Sequence, residues 1–348
     1  MRFHLVLALA CLFAVLLTLV GASSPSTAHH GLEKRRLDKR SARTSTPSGA
    51  VVVAQDGSGK YSTISAAVKA GATSIFVKSG TYKEQVSVTK DGVTIYGPTD
   101  TSTYAANTVT ITYGLSADTA GDDDSSGTLR VHANKFSLYN VNAVNSYGKG
   151  SQALALSAYG TEQGFYGCSF KGYQDTILTD TGTQVFSQCY VEGATDFIFG
   201  QTANSWFDHS TLAIVGAGYI VAPGRESASD SGLYVFNSCT IKQADSVSTS
   251  LKGQAYLGRP WRNYARAVYK YCSISDAINS AGWHVWSTST ANTEHILFGE
   301  YQNSGAGAWS SSRASFATQL SSTDNAKYSI SAVLGSDYKS WVDASYVA

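Results

Sequence analysis

Six segments of the chain share one pattern: an aromatic residue first, a small or polar residue (once Tyr) fourth, and an apolar residue sixth. They are FSLYNV from Phe136, FYGCSF from Phe165, FSQCYV from Phe186, FDHSTL from Phe207, FNSCTI from Phe236 and YKYCSI from Tyr269, with starts separated by 29, 21, 21, 29 and 33 residues. A unit of about 21 residues with occasional insertions is too short for most helical repeats and suits a coil of short parallel strands. The 32 Gly and 21 Tyr against five Pro also favour turn-rich β structure over helix.

Stacked turns would put Cys168, Cys189, Cys239 and Cys272 in an inward ladder, because each holds the fourth position of its segment. Free Cys is a small buried hydrophobe, which accounts for them; a Cys168–Cys189 disulfide between adjacent turns stays open. The same spacing bears on the stretch ATDFIFG at 194–200, where Asp196 stands among Phe197, Ile198 and Phe199. A surface turn is the plain explanation. However, Asp196 follows Phe186 by ten residues, as Asp175 follows Phe165, so the two carboxylates hold the same place in consecutive turns. Neighbouring strands lie about 4.8 Å apart. Two carboxyls that close in an apolar rim have their ionisations driven apart, which supplies an acid beside a base or nucleophile. Gln174 directly precedes Asp175, and Gln152 lies close to one turn earlier. Their amide groups could donate to a developing oxyanion, although solvent-facing polar residues or an amide ladder would look the same.

The ends of the chain carry a different signal. Arg2 and His4 precede an apolar run from Leu5 to Val20 broken only by Thr18, and small residues follow it, the layout of a secretory signal peptide at 1–22. Residues 23–40 read as a short pro-segment closing at the dibasic Lys39-Arg40, with one catalytic unit over 41–348. Removing residues 1–40 takes away six basic and two acidic side chains and leaves 20 Lys and Arg against 23 Asp and Glu. That mild acidity argues against nucleic acid as a partner, and nothing after residue 40 is long and apolar enough to span a bilayer. A secreted, extracellular monomer is expected. No Asn-X-Ser/Thr sequon occurs.

Taken together, GYQDTIL (172–178), TDFIFG (195–200) and LGRPW (257–261) resemble the signature blocks of the pectin methylesterases. Further blocks match at 53–68, 79–86, 150–156, 222–227 and 299–307, so the resemblance covers about residues 50 to 346. It implies an all-β fold, a right-handed single-stranded parallel β-helix. It also implies removal of the C6 methyl esters of polygalacturonate, with pectate and methanol as products. The substrate would be methyl-esterified homogalacturonan of the cell wall, with no cofactor and no metal. Residue by residue, Asp196 would be the nucleophile and Asp175 the acid and then the base. Gln152 and Gln174 would stabilise the oxyanion, Arg259 would hydrogen-bond Asp196 and keep it ionised, and Trp261 and Phe199 would contact sugar rings. The chain departs from the family pattern at Ser79-Gly80 and at 303–307, where Pro is common, and neither position touches the implied chemistry. The short pro-segment resembles fungal or bacterial forms.

Rival readings remain at this level. Two carboxyls about 5 Å apart also suit a retaining glycosidase, a calcium-dependent lyase would use Asp with Arg, and a binding solenoid would use the aromatics alone. GDDDSSG at 121–127 lacks the spacing of a known calcium loop and reads as a solvated turn. His132, His209, His284 and His295 show no metal-ligand spacing, and there is no G-x-S-x-G elbow. STISAAVKAGA at 62–72 has helical spacing and is expected to cap the N-terminal end of the coil, and residues 315–348 are expected to form a tail and cap.

Overall fold

The computed structural model describes residues 43–347, so the signal peptide at 1–22 and the pro-segment at 23–40 lie outside the described residues. Chain alternation and stacking build the fold together. Along each short strand, alternate side chains point inward and outward, and each strand pairs in parallel with the equivalent strand of the next coil. One coil runs through Ile198–Gly200, Asn204–Asp208 and Thr211–Ile214, and the next through Gly218–Pro223, Leu233–Asn237 and Thr240–Gln243. Among the described residues the strands collect into a sixteen-stranded sheet and an eight-stranded sheet, which enclose one core in a parallel β-helix.

The register runs through the aromatic ladder, pairing Phe165 with Phe186, then Phe207, Phe236 and Tyr269. All five rings are fully buried. Successive centroids lie 4.6, 4.5, 4.9 and 4.3 Å apart. Each stacked pair adds about 0.5–1.5 kcal/mol beyond the area it buries. The first segment differs from its expected alignment, because Leu138 rather than Phe136 pairs with Phe165. The corner explains the shift. Gly167, Gln188, His209, Ser238 and Tyr271 each turn it in the left-handed region, with φ between 46° and 59°, and Asn140 at 52° is their counterpart. Leu138 stands two residues before that corner, as Phe165 does before Gly167, and Phe136 is displaced from the row.

The four cysteines are buried and free, so the disulfide left open between Cys168 and Cys189 is not formed. Their thiols lie 3.4 Å from the Leu138 carbonyl and 3.3 Å from the Phe165 carbonyl instead.

Both ends of the core are closed. The expected helix spans Ile64–Lys69, with Thr63 as its N-cap, and buries Ile64 and Ala67 in the core. Glu84 accepts hydrogen bonds from the Ile64 and Ser65 amides at 2.9 Å, satisfying donors that a helix start leaves open. At the other end Arg313 forms a buried fork on Glu300 at 2.8 and 2.9 Å, and the Trp283 indole also donates to Glu300. The expected tail and cap divides: Ala317–Gln319 adds the last strand of the long sheet, with Phe316 and Ala317 packed on the end of the core, and the segment beyond it lies along a flank of the coil. Val333, Leu334, Val342 and Tyr346 pack on Tyr166, Val185, Trp206 and Val235, the apolar outward residues of the long sheet, which would otherwise face water.

If the ring ladder carries the stability, Phe186→Ala should cost about 3–5 kcal/mol, because neighbours held on both sides cannot collapse into the cavity. Denaturant unfolding of the variant beside the parent checks this. A cost below about 1 kcal/mol would contradict it.

Candidate active site

Asp175 and Asp196 sit in equivalent turns of adjacent coils. Ile177 pairs with Ile198 and Gln174 bridges Thr195, which fixes the two carboxylates opposite one another. Both residues are in the left-handed region, at φ 59° and 47°. A backbone of this kind costs about 1–3 kcal/mol and persists where surrounding structure over-determines it. Here the Asp175 amide donates to the Thr195 carbonyl at 3.0 Å, and the Ile177 amide to the Phe197 carbonyl at 3.0 Å. Gln152 lies one coil earlier, beside Ala153, whose amide donates to the Gln174 carbonyl at 3.2 Å. Gln152, Gln174 with Asp175, and Asp196 therefore occupy three successive coils.

Arg259 reaches Asp196 from the strand Ala255–Gly258, two coils further on. Its Nε donates to Oδ1 at 3.0 Å and its Nη2 to Oδ2 at 2.6 Å. The guanidinium lies between two rings, 4.1 Å from the centroid of Tyr219 and 4.2 Å from that of Trp286, and Nη1 donates to the Trp286 carbonyl. Tyr219 belongs to the intervening coil, so the arginine crosses it on an aromatic surface. A planar, delocalised cation is suited to such a slot, and an ammonium is not.

Burial pushes both carboxyls above the ordinary range. Asp175, 8% exposed, is pushed well above it, first by burial and then by the charges of Asp196 and Asp123. Asp196 is also raised by burial, but the hydrogen bonds and charge of Arg259 oppose that rise. No guanidinium hydrogen-bonds Asp175, so its proton is the more firmly held. Arg259 thus favours ionisation of Asp196 without bringing it down to an ordinary carboxylate value. Both carboxyls are raised, Asp175 the more strongly, so Asp196 is the readier of the two to ionise.

Phe199 and Trp261 meet edge to face, with centroids 6.2 Å apart. Phe199 is 4% exposed, whereas Trp261 is half-buried. Gly224 lies beneath the indole, where an added Cβ would stand 2.4 Å from a Trp261 ring atom, so the ring can lie down only on glycine. The segment 121–127 is no solvated turn. Asp122 N-caps the short helix Asp123–Ser126, and Asp124 accepts hydrogen bonds from Arg130, from His132 at 2.8 Å and from Ser157 at 2.6 Å. Burial opposes its charge, but these partners hold Asp124 down at about 2. Among the described residues no group of His, Cys, Asp and Glu could hold a metal ion.

A sequence model of the family described as Pectinesterase matches residues 50–337. The chain belongs to the pectinesterase family. It is 48% identical to a pectinesterase of Aspergillus aculeatus over 87% of this chain and 94% of that one. It is 45% identical to pectinesterase A of Emericella nidulans over 95% and 98%. Its fold is similar to the crystal structure of the pectin methylesterase from Aspergillus niger, with TM-score 0.80 and 44% identity over 88% of this chain and all of that one. As a pectinesterase it is a carboxylic ester hydrolase acting on pectin. Three contributors to the site were not anticipated from the sequence: Tyr219 and Trp286, which sandwich Arg259, and Asp123, whose charge bears on Asp175.

A carboxyl whose proton is held more tightly in the folded chain adds stability below the ordinary carboxylate pKa of about 4 and loses it as pH rises through the folded value. Asp175→Asn is therefore expected to raise Tm at pH 7 and to leave it near the parent value below about pH 4. Thermal unfolding at the two pH values measures this, and a lowered Tm at pH 7 would contradict it.

Proposed function

We propose that this pectinesterase removes the C6 methyl esters of homogalacturonan through a covalent acyl intermediate on Asp196. One observation carries the reading: of two carboxyls in equivalent turns, Asp196 alone is gripped by a half-buried, bidentate arginine. The Asp196 carboxylate attacks the ester carbonyl carbon, and the charge moves to the carbonyl oxygen. The side-chain amides of Gln152 and Gln174 donate hydrogen bonds to that oxyanion. Collapse breaks the bond to the methoxy group, which takes the proton of Asp175 and leaves as methanol. Asp175, now ionised, accepts a proton from water as the water attacks the acyl group. The galacturonate carboxyl departs and Asp196 is regenerated. The half-buried face of Trp261 meets a sugar ring, with Phe199 packed behind it.

The same reading has residues 1–22 direct secretion, 23–40 removed, and 41–348 acting as an extracellular monomer on the cell wall. Among the described residues no helix is long and apolar enough to cross a membrane. A retaining glycosidase would place its second carboxyl as a free acid too, but it has no use for Gln152 and Gln174 as donors to a carbonyl oxygen.

Methanol, new reducing ends and unsaturated products, assayed together on highly methylated pectin, test the reaction. Methanol alone is expected, and Asp196→Ala should lower its release by on the order of 10³-fold or more. Chain cleavage without methanol would overturn the reading. Arg259→Lys loses the fork and part of the opposition to burial, so Asp196 should ionise at higher pH. The acidic limb of kcat/KM should then move upward, and an unmoved limb would remove Arg259 from this role.

A further inference from the structure

A groove of about 510 Å³ lies on the outer face of the eight-stranded sheet. The carboxylate pair stands elsewhere, in the turns that lead into the other sheet. The groove floor is a register row of outward side chains, Thr110, Asn142, Ser169 and Tyr190, one from each of four stacked strands. The short 3-10 turn Tyr104–Ala106 stands over it as a wall. The volume is that of a small-ligand site.

The lining is specific in its chemistry. Ser169 is 3% exposed, and its Oγ is buried with no hydrogen-bond partner, an uncommon condition that calls for a group inside the groove. The rings of Tyr104 and Tyr190 approach to 5.1 Å at 45°, giving two apolar faces set as a wedge. Asn142 is held in place, accepting from Asn107 at 3.1 Å and donating to Thr110 at 3.2 Å. Each charged group lining the groove has an opposite charge beside it, in the groove or at its edge. Lys171 lies 3.7 Å from Glu192 and 5.0 Å from the Tyr190 centroid, and Asp245 is taken up by Lys242 at 2.7 Å. With one lysine against two carboxylates, the lining disfavours an anion, and what it offers besides is ring faces, amides and a hydroxyl, the complement of an uncharged pyranose.

We propose that this groove is a second saccharide site, separate from the carboxylate pair, and that it takes an uncharged stretch of polysaccharide. It would hold the protein on the polymer while the catalytic face works on another stretch. Two sources supply that chemistry: fully esterified galacturonan, whose carboxyls carry no charge, and a neutral hexose polymer. The buried Ser169 hydroxyl and the Tyr wedge recognise what both share.

Titration calorimetry with two probes tests the proposal. A neutral galactan oligomer is titrated into the parent chain, and a fully methyl-esterified oligogalacturonide into Asp196→Asn, which cannot turn it over. The groove variants Tyr104→Ala and Ser169→Ala are expected to weaken galactan binding about ten-fold and several-fold if a neutral polymer is the ligand. If esterified main chain is the ligand, they should abolish one of two oligogalacturonide sites. Ser169→Ala removes only a hydroxyl and preserves packing, so it decides the matter if Tyr104→Ala unfolds. Both variants should release methanol from short esterified oligomers at the parent rate, which separates this inference from the catalytic reading. Binding of neither probe that depends on the groove would overturn the proposal.

Discussion

Parallel, in-register stacking of one coil on the next is the constraint from which the rest follows. Because Phe165, Phe186, Phe207, Phe236 and Tyr269 must stack as a single column, no coil can slip against its neighbour without moving every inward side chain to the surface. That rigidity reaches the turns as well. Asp175 and Asp196 are forced into proximity by the column ten residues before each of them, and the strain of two left-handed aspartates is borne by hydrogen bonds between coils. Like charges so placed would repel in any softer scaffold. Here the fold holds them, and burial first, then the charge of Asp196, pushes the Asp175 carboxyl well above its ordinary range.

The asymmetry between the carboxyls depends on reach. Asp196 and Arg259 lie in coils separated by the one that carries Tyr219, and the arginine crosses it between Tyr219 and Trp286. The sandwich shields part of the guanidinium from water and fixes its plane, so that both hydrogen bonds to Asp196 form together. Removing the arginine would leave a buried carboxylate uncompensated, at a cost of about 3–5 kcal/mol. The pair thus contributes to the fold and to the division of labour at once. The charge of Asp123 adds to the burial and to the charge of Asp196 in raising the Asp175 carboxyl.

Much of this was legible in the sequence where the period was unbroken. Between Phe165 and Phe207 no insertion disturbs the 21-residue spacing, so the opposition of Asp175 and Asp196 could be read directly. Outside that stretch the signal weakens. The first ladder segment was misplaced by two residues because Phe136 imitates the aromatic start, whereas the corner residue Asn140 marks the true alignment. The partnership of Arg259 with Asp196 came from resemblance alone, since insertions within the coils between them erase any period. Tyr219 and Trp286 gave no signal, because a ring that stacks on a distant cation looks like any other tyrosine or tryptophan. Asp122, Asp123 and Asp124 were visible as a run, but their separate duties follow from a four-residue helix that spacing could not reveal. The C-terminal segment was expected as a tail and cap, and only the outward apolar row from Tyr166 to Val235 shows that its later part covers a flank.

The most direct test of the division between the carboxyls is to titrate them individually, by carbon-13 NMR of carboxyl-labelled aspartates in the parent chain, with Asp175→Asn and Asp196→Asn to assign the resonances. The account predicts that Asp196 ionises first and that Asp175 keeps its proton to distinctly higher pH, with the gap narrowing in Arg259→Lys. Retention of the proton by Asp196 while Asp175 ionises, or a gap indifferent to Arg259, would contradict it.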